Sequence, residues 1–192
     1  MRQILTPALA AAVLSTVAQP LAARPRTIDN TELKYSISIP SECRTLEGPG
    51  TLEAICAPDM DEAKSIDIPA ATSLLLEVDA EPVPADAKPY TETEFRQDVP
   101  EAVCGEADNP KTKLEGVKLT QDAGASVFTA TITCPEIKFL ALPERIADVR
   151  YVMSKTYRYR LMARSLMADA EATKAAKQAY LSSFKPAAEK KP

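Results

Sequence analysis

Apolar and polar positions alternate with period two at the start of this chain. Leu33, Tyr35, Ile37 and Ile39 alternate with Lys34, Ser36 and Ser38, which predicts a strand with one apolar face, closed by Pro40. A second alternating run holds Leu74, Leu76, Val78 and Ala80 on one face. A third sets Phe128, Ala130, Ile132 and Cys134 against Thr129, Thr131 and Thr133; Val117 and Leu119 precede it across the turn signal Asp122-Ala123-Gly124. Between them the period changes to that of a helix. Thr91 is followed three residues later by Glu94, a capping box, and Tyr90 and Phe95 stand at the spacing of a hydrophobic staple. Phe95, Val99 and then Ala102 or Val103 continue an apolar stripe, which Pro100 should kink or end. A closing helix is expected over roughly 168–183, with Ala172, Ala176, Ala179, Tyr180 and Phe184 as its buried stripe. Asp169 and Glu171 near its start and Lys174 and Lys177 later suit the helix dipole.

The stretch RYVMSKTYRYRLMARSL, residues 150–166, is the least ordinary. Tyr151, Met153, Tyr157, Tyr159, Leu161 and Ala163 fall on odd positions, and Arg150, Arg158, Arg160 and Arg164 on even ones. Ser154-Lys155 lacks the Gly, Asn or Asp of a tight turn, so the pattern predicts one long strand, bent or bulged near Lys155, with a hairpin as the alternative. KFLALPERIAD before it reads as an irregular connection. The arginines then form a row on a sheet face or edge, spaced by about 7 Å.

Cysteine placement adds covalent restraints. Cys43 and Cys56 flank CRTLEGPGTLEAIC, whose midpoint is the turn dipeptide Pro49-Gly50, so a hairpin sets them opposite one another. Cys104 and Cys134 then pair by elimination. A four-thiolate metal site is disfavoured because no C-x-x-C element occurs. The first residues, MRQILTPALAAAVLSTVAQP, read as a secretory signal with cleavage after Ala18, which agrees with disulfide use. Residues 19–31 read as an extended lead-in, 32–185 as a single α+β domain and 186–192 as a disordered basic tail. Nothing later is long and apolar enough for a spanning helix. The expected address is the periplasm or the exterior.

Charge and missing residue types narrow the chemistry. The chain has 23 Lys plus Arg against 27 Asp plus Glu, and loss of Arg2 with the signal leaves 22 against 27. That balance argues against a general nucleic-acid binder. The absence of histidine excludes Ser-His-Asp and Cys-His catalysis and His-ligated metals. No glycine-rich nucleotide cradle occurs. No cofactor and no metal are expected. Asp59, Asp61 and Glu62 suggest calcium, but an EF-hand glycine is replaced by Lys64, so an acidic loop is the better reading. Ser182 to Lys185 matches S-x-x-K without its S-D-N and K-T-G companions. Met153, Met162 and Met167 suggest soft-metal binding less well than packing, although Met162 falls among the arginines.

The YSISIP run from Tyr35 to Pro40, the helix from Tyr90 to Val103 and the YRYRL strand from Tyr157 to Leu161 before the LSSF of Leu181 to Phe184 together resemble the PsbP-type α/β sandwich. The resemblance implies an antiparallel sheet of about six strands packed with two helices, and a non-enzymatic accessory or binding role. The two disulfides and the lack of tryptophan depart from that pattern. On this reading Arg150, Lys155, Arg158, Arg160 and Arg164 are the candidate binding residues, facing an envelope protein or another anionic surface. The plain alternative is a solvated row paired with acids on neighbouring strands. A small ligand carrier and a hydrolase using carboxylates or Ser/Lys are the other function classes.

Overall fold

The structure, a computed structural model, describes residues 24–56, 74–105, 109–122, 124–138 and 142–187. The proposed signal peptide, the Asp59-Asp61-Glu62 loop and the end of the basic tail lie outside these residues. The elements run β1 (Arg26–Asn30), β2 (Tyr35–Ile39), β3 (Arg44–Gly48), β4 (Thr51–Cys56), β5 (Leu74–Pro82), α1 (Glu92–Cys104), β6 (Lys113–Asp122), β7 (Ala125–Cys134), β8 (Arg145–Met153), β9 (Tyr157–Leu166), α2 (Ala170–Ser183) and β10 (Lys185–Pro186). Seven strands form one antiparallel sheet in the order β3-β4-β5-β9-β8-β7-β6. A second, three-stranded sheet has the order β1-β2-β10. The segment before Tyr35 therefore contains a strand, and the chain after Phe184 pairs briefly with Tyr35 and Ser36.

The large sheet is covered on both faces. α1 packs on one, where Phe95, Val99 and Val103 meet Phe128, Ala130, Ile132, Ala147, Val149 and Tyr151. α2 and β2 cover the other, where Tyr35, Ile37, Ile39, Tyr180 and Phe184 meet Leu76, Val78, Tyr159 and Leu161. Both layers exclude water, so the hydrophobic effect acts on both sides of the central strands.

Local chemistry explains most of the elements. Thr91 and Glu94 form the reciprocal cap, with Thr91 N donating to Glu94 Oε2 at 2.7 Å and Glu94 N to Thr91 Oγ1 at 3.2 Å. Tyr90 and Phe95 both lay their rings on Phe128 and Tyr151. Pro100 does not end α1, which continues to Cys104 and stops at Gly105 in the left-handed region, φ 76°. Gly50, φ 82°, completes the Pro49-Gly50 turn, and the β3–β4 register carries Cys43 opposite Cys56. Both disulfides, Cys43–Cys56 and Cys104–Cys134, are present, with Cα separations of 4.3 and 5.3 Å.

Residues 150–166 are not one strand. They are the end of β8, a turn and β9, and β8 begins at Arg145, inside the stretch read as an irregular connection. Ser154 supplies the turn chemistry that glycine or asparagine would otherwise give. Its Oγ accepts from Thr156 N at 3.2 Å and Tyr157 N at 2.9 Å, while Ser154 N donates to Tyr157 O at 3.0 Å. No residue of this turn has positive φ. α2 also differs from its expected stripe. Thr173, Lys177 and Tyr180 are buried, whereas Ala172 and Ala179 are exposed. Tyr180 and Phe184 are buried and Ala176 half-buried as expected, so the face is turned by only part of a residue step, with Thr173 and Lys177 in place of Ala172 and Ala179. Ala172, Ala175, Ala176 and Ala179 share one side of this helix, but alanine fits a surface as well as a core, so the partners on the sheet decide which side is buried.

Candidate functional site

The hairpin redistributes the five candidate cations. In an antiparallel pair, directly opposed residues share a face. Tyr151 opposes Arg160 and Met153 opposes Arg158, whereas Arg150 opposes Leu161. Odd positions of β8 therefore share a face with even positions of β9. Arg158, Arg160 and Arg164 lie together on the α1 side. Arg150 lies on the α2 side, where its guanidinium donates to Leu181 O at 2.7 Å and stands 3.9 Å from Asp122. Lys155 is exposed at the turn tip. The simple parity of the sequence survived because both faces are buried, not because one face continues.

β9 is a central strand, so the three grouped arginines face a neighbour on each side rather than an open edge. On β5, Glu81 opposes Arg158 and Asp79 opposes Arg160. Arg160 Nη2 is 2.6 Å from Asp79 Oδ2 and 3.7 Å from Glu81; Arg158 Nη1 is 3.8 Å from Glu81. These side chains are partly exposed, so each pair stabilises by no more than about 1 kcal/mol. Burial pushes the Glu77 carboxyl above the ordinary range, opposed by Arg164 and reinforced by Glu53 and Asp79. Cation and acid alternate across β5 and β9 as a nearly neutral patchwork.

Between this patchwork and α1 runs a trough. α1 covers β7 and β8 but not β5, which leaves part of the sheet face open. One section, of about 310 Å³, lies between Asp98, Glu101 and Ala102 of α1 and Glu81, Arg158 and Arg160 of the sheet, with Tyr90, Tyr151 and Met153 also lining it. A second, of about 150 Å³, continues past Ala102, Tyr151 and Arg160 to Glu77, Asp79, Val149 and Met162. Met162 thus belongs to the trough and to the α1 core. Tyr90 donates to Asp98 Oδ2 at 2.9 Å, and burial together with that carboxylate holds its phenol well above the ordinary value. Tyr151 is 4% exposed; its hydroxyl makes no hydrogen bond among the described residues, and burial pushes its pKa up to about 12.

A second polar feature lies on the other face. Lys177 of α2 is buried and its Nζ is 3.2 Å from Asp148 Oδ2, while Thr131 donates to Asp148 Oδ1 at 2.8 Å. From the sequence Lys177 is read only as a later cation that suits the helix dipole. The only local hint was its place in the 173-177-180-184 spacing that ends on Tyr180 and Phe184.

The remaining candidates are local. Ser182 is exposed and its Oγ donates to Ala179 O at 3.1 Å, as a helix-end residue does. Among the described residues no group of three or more Cys, Asp or Glu side chains is placed to hold a metal, and no helix is long and apolar enough to cross a membrane.

Neither a family model nor a curated protein matches the sequence. Solved structures do match in shape. The cyanobacterial PsbP (CyanoP) of Synechocystis sp. PCC 6803 superposes with a TM-score of 0.57 at 15% identity, over 91% of this chain and 98% of that one. The chain has a PsbP-like fold. The same fold relates it to the Ran-binding protein Mog1p of Saccharomyces cerevisiae, with a TM-score of 0.53 at 13% identity over 85% of this chain and 96% of that one. LpqN, involved in cell envelope biogenesis of Mycobacterium tuberculosis, matches with a TM-score of 0.51 at 11% identity over 90% and 88%. A further match, from Bacteroides thetaiotaomicron, is spanned over 50% of its length. At such identities the likeness is one of PsbP-like fold, and sites do not transfer.

Proposed function

We propose that this protein is an exported accessory protein of the bacterial envelope that acts without catalysis and recognises a partner through the α1-side face of its large sheet. The observation that carries the reading is the trough beside α1, where charged and apolar side chains reach solvent on a face otherwise packed under a helix. Fold neighbours whose names speak of Ran binding and envelope biogenesis agree with a binding role. Two disulfides and the signal-like first 18 residues agree with export. The arginines act within this face, where their pairing with β5 fixes their positions.

Two measurements test the reading in the native cell. The N-terminus of the extracted protein should be Gln19 and the protein should fractionate outside the cytoplasm; an intact N-terminus on cytoplasmic protein refutes export. A photo-crosslinking residue at Ala102, in the trough, should capture a defined adduct that the same residue at Glu171, exposed on α2, does not. Equal capture from both positions refutes the assignment of the face.

A further inference from the structure

The arginine row looks cationic in the sequence, yet the fold surrounds it with acids. Arg158 and Arg160 are already paired with Glu81 and Asp79 across the β5–β9 ladder. From the other bank α1 brings Asp98 and Glu101. With Glu77, the lining of the two sections holds five carboxyl groups and two guanidiniums. An anion entering there meets an acidic wall and has to displace existing ion pairs. A cation meets a field of complementary sign, focused by low-dielectric walls.

An independent feature lies on the floor. Tyr151 is 4% exposed, lines both sections and leaves its hydroxyl without a partner among the described residues. Among the described residues the sealed, unpartnered atoms of the lining are Glu77 Oε2, an acceptor, and Arg160 Nε, a donor, whereas the Tyr151 hydroxyl is open to the trough and can accept from a ligand atom. Met153 beside it supplies a polarizable apolar surface for an aliphatic stem. The trough is open along one side, and its main section of about 310 Å³ lies at the small end for pockets that enclose a free ligand. A side chain held by its own backbone needs only such a partial enclosure.

We propose that the trough takes a lysine or arginine side chain presented on an exposed segment of a partner protein. The stem lies on Met153 and the Tyr151 ring, and the cationic head sits between Glu101 and Asp98 of α1 and Glu81 of β5. The Tyr151 oxygen accepts a hydrogen bond from it. This deepens the partner-recognition reading, on which it rests, and reverses the sign of partner that the sequence suggested.

The test titrates isotope-labelled protein with a short peptide alternating lysine and leucine, with its glutamate–leucine counterpart, and with spermidine, following backbone amide resonances. The lysine peptide should shift Asp98, Glu101, Tyr151 and Met153. Glu101→Lys should weaken it about tenfold or more, and Tyr151→Phe about tenfold. Glu101 is exposed and Tyr151→Phe keeps the ring, so both variants should melt like the parent. If the glutamate peptide moves the same resonances instead, the face still binds but the cationic partner is wrong. If spermidine binds as tightly as the lysine peptide, a partner protein is wrong as the source. If none of the three moves the trough, the proposal falls, while capture at Ala102 decides the partner-recognition reading separately.

Discussion

The buried pair between α2 and β8 allows a test with a built-in control. Lys177 has a side chain only 3% exposed, and Asp148 is its one acidic partner among the described ion pairs; the Asp148 side chain is 27% exposed. Removing one end therefore differs from removing the other. Asp148→Ala leaves an ammonium buried against α2 and β8 without a counter-charge, and also frees Thr131 Oγ1. Breaking a fully buried pair in this way costs about 3–5 kcal/mol. Water reaches the Asp148 end, so about 2–3 kcal/mol is the appropriate expectation. Lys177→Met keeps an unbranched stem in the same space and leaves Asp148 with water and Thr131, so it should cost less than about 1 kcal/mol. For a chain of this size 1 kcal/mol moves the melting midpoint by about 2–4 °C, which puts Asp148→Ala about 4–12 °C below the parent. Urea titration with both disulfides intact gives the same comparison at constant m-value. Equal losses from the two variants, or an Asp148→Ala variant as stable as the parent, would refute this account of the pair.

Alkaline stability follows from the tyrosines. Tyr35, Tyr90, Tyr151 and Tyr180 are all held above the ordinary phenol value, burial being the first cause in each case. Their folded pKa values exceed the unfolded ones, so stability is fully present below about pH 10 and falls as pH rises towards 12, by about 1.4 kcal/mol per pH unit for each phenol that stays protonated only when folded. Phenolate absorbance should rise late and together with unfolding; early ionisation of these phenols in the folded protein would contradict the burial described. Ser154→Ala removes the acceptor of two turn amides and should cost about 1–2 kcal/mol, with Ser154→Asn costing less; a neutral alanine variant would show that the hairpin is set by its strands alone. Replacing Cys43 and Cys56 by serine opens a loop of 13 residues' separation and should lower stability by about 3 kcal/mol, measured by chemical denaturation against the intact protein. An unchanged midpoint would show that the β3–β4 register needs no covalent tie.

Legibility followed the reach of the interactions involved. The α1 cap, the Pro49-Gly50 turn, the β7 alternation and both cysteine pairings depend on residues near one another in sequence or on elimination among four thiols, and they were readable before any fold was known. Residues 145–166 were misread because Ser154 performs a turn with a side chain that is common in every kind of structure. On α2 the expected Tyr180 and Phe184 are buried, but Thr173 and Lys177 take the places read for Ala172 and Ala179, because alanine fits both a core and a surface. The trough was not legible at all. Tyr151 and Arg160 share a face only through the β8–β9 register, Asp79 and Glu81 reach them only through β5, and Asp98 and Glu101 arrive on a helix whose end Cys104 ties to Cys134.

By itself the sequence determined an α+β sandwich with two disulfides, excluded histidine chemistry and marked residues 150–164 as unusual in charge. Tertiary structure decided what that charge means. Charge is a property of a residue, but the field at a surface is a sum over everything folded around it. Five cations close in sequence became three on one face, one on the other and one at a turn tip. The three that remained together met carboxylates contributed by a neighbouring strand.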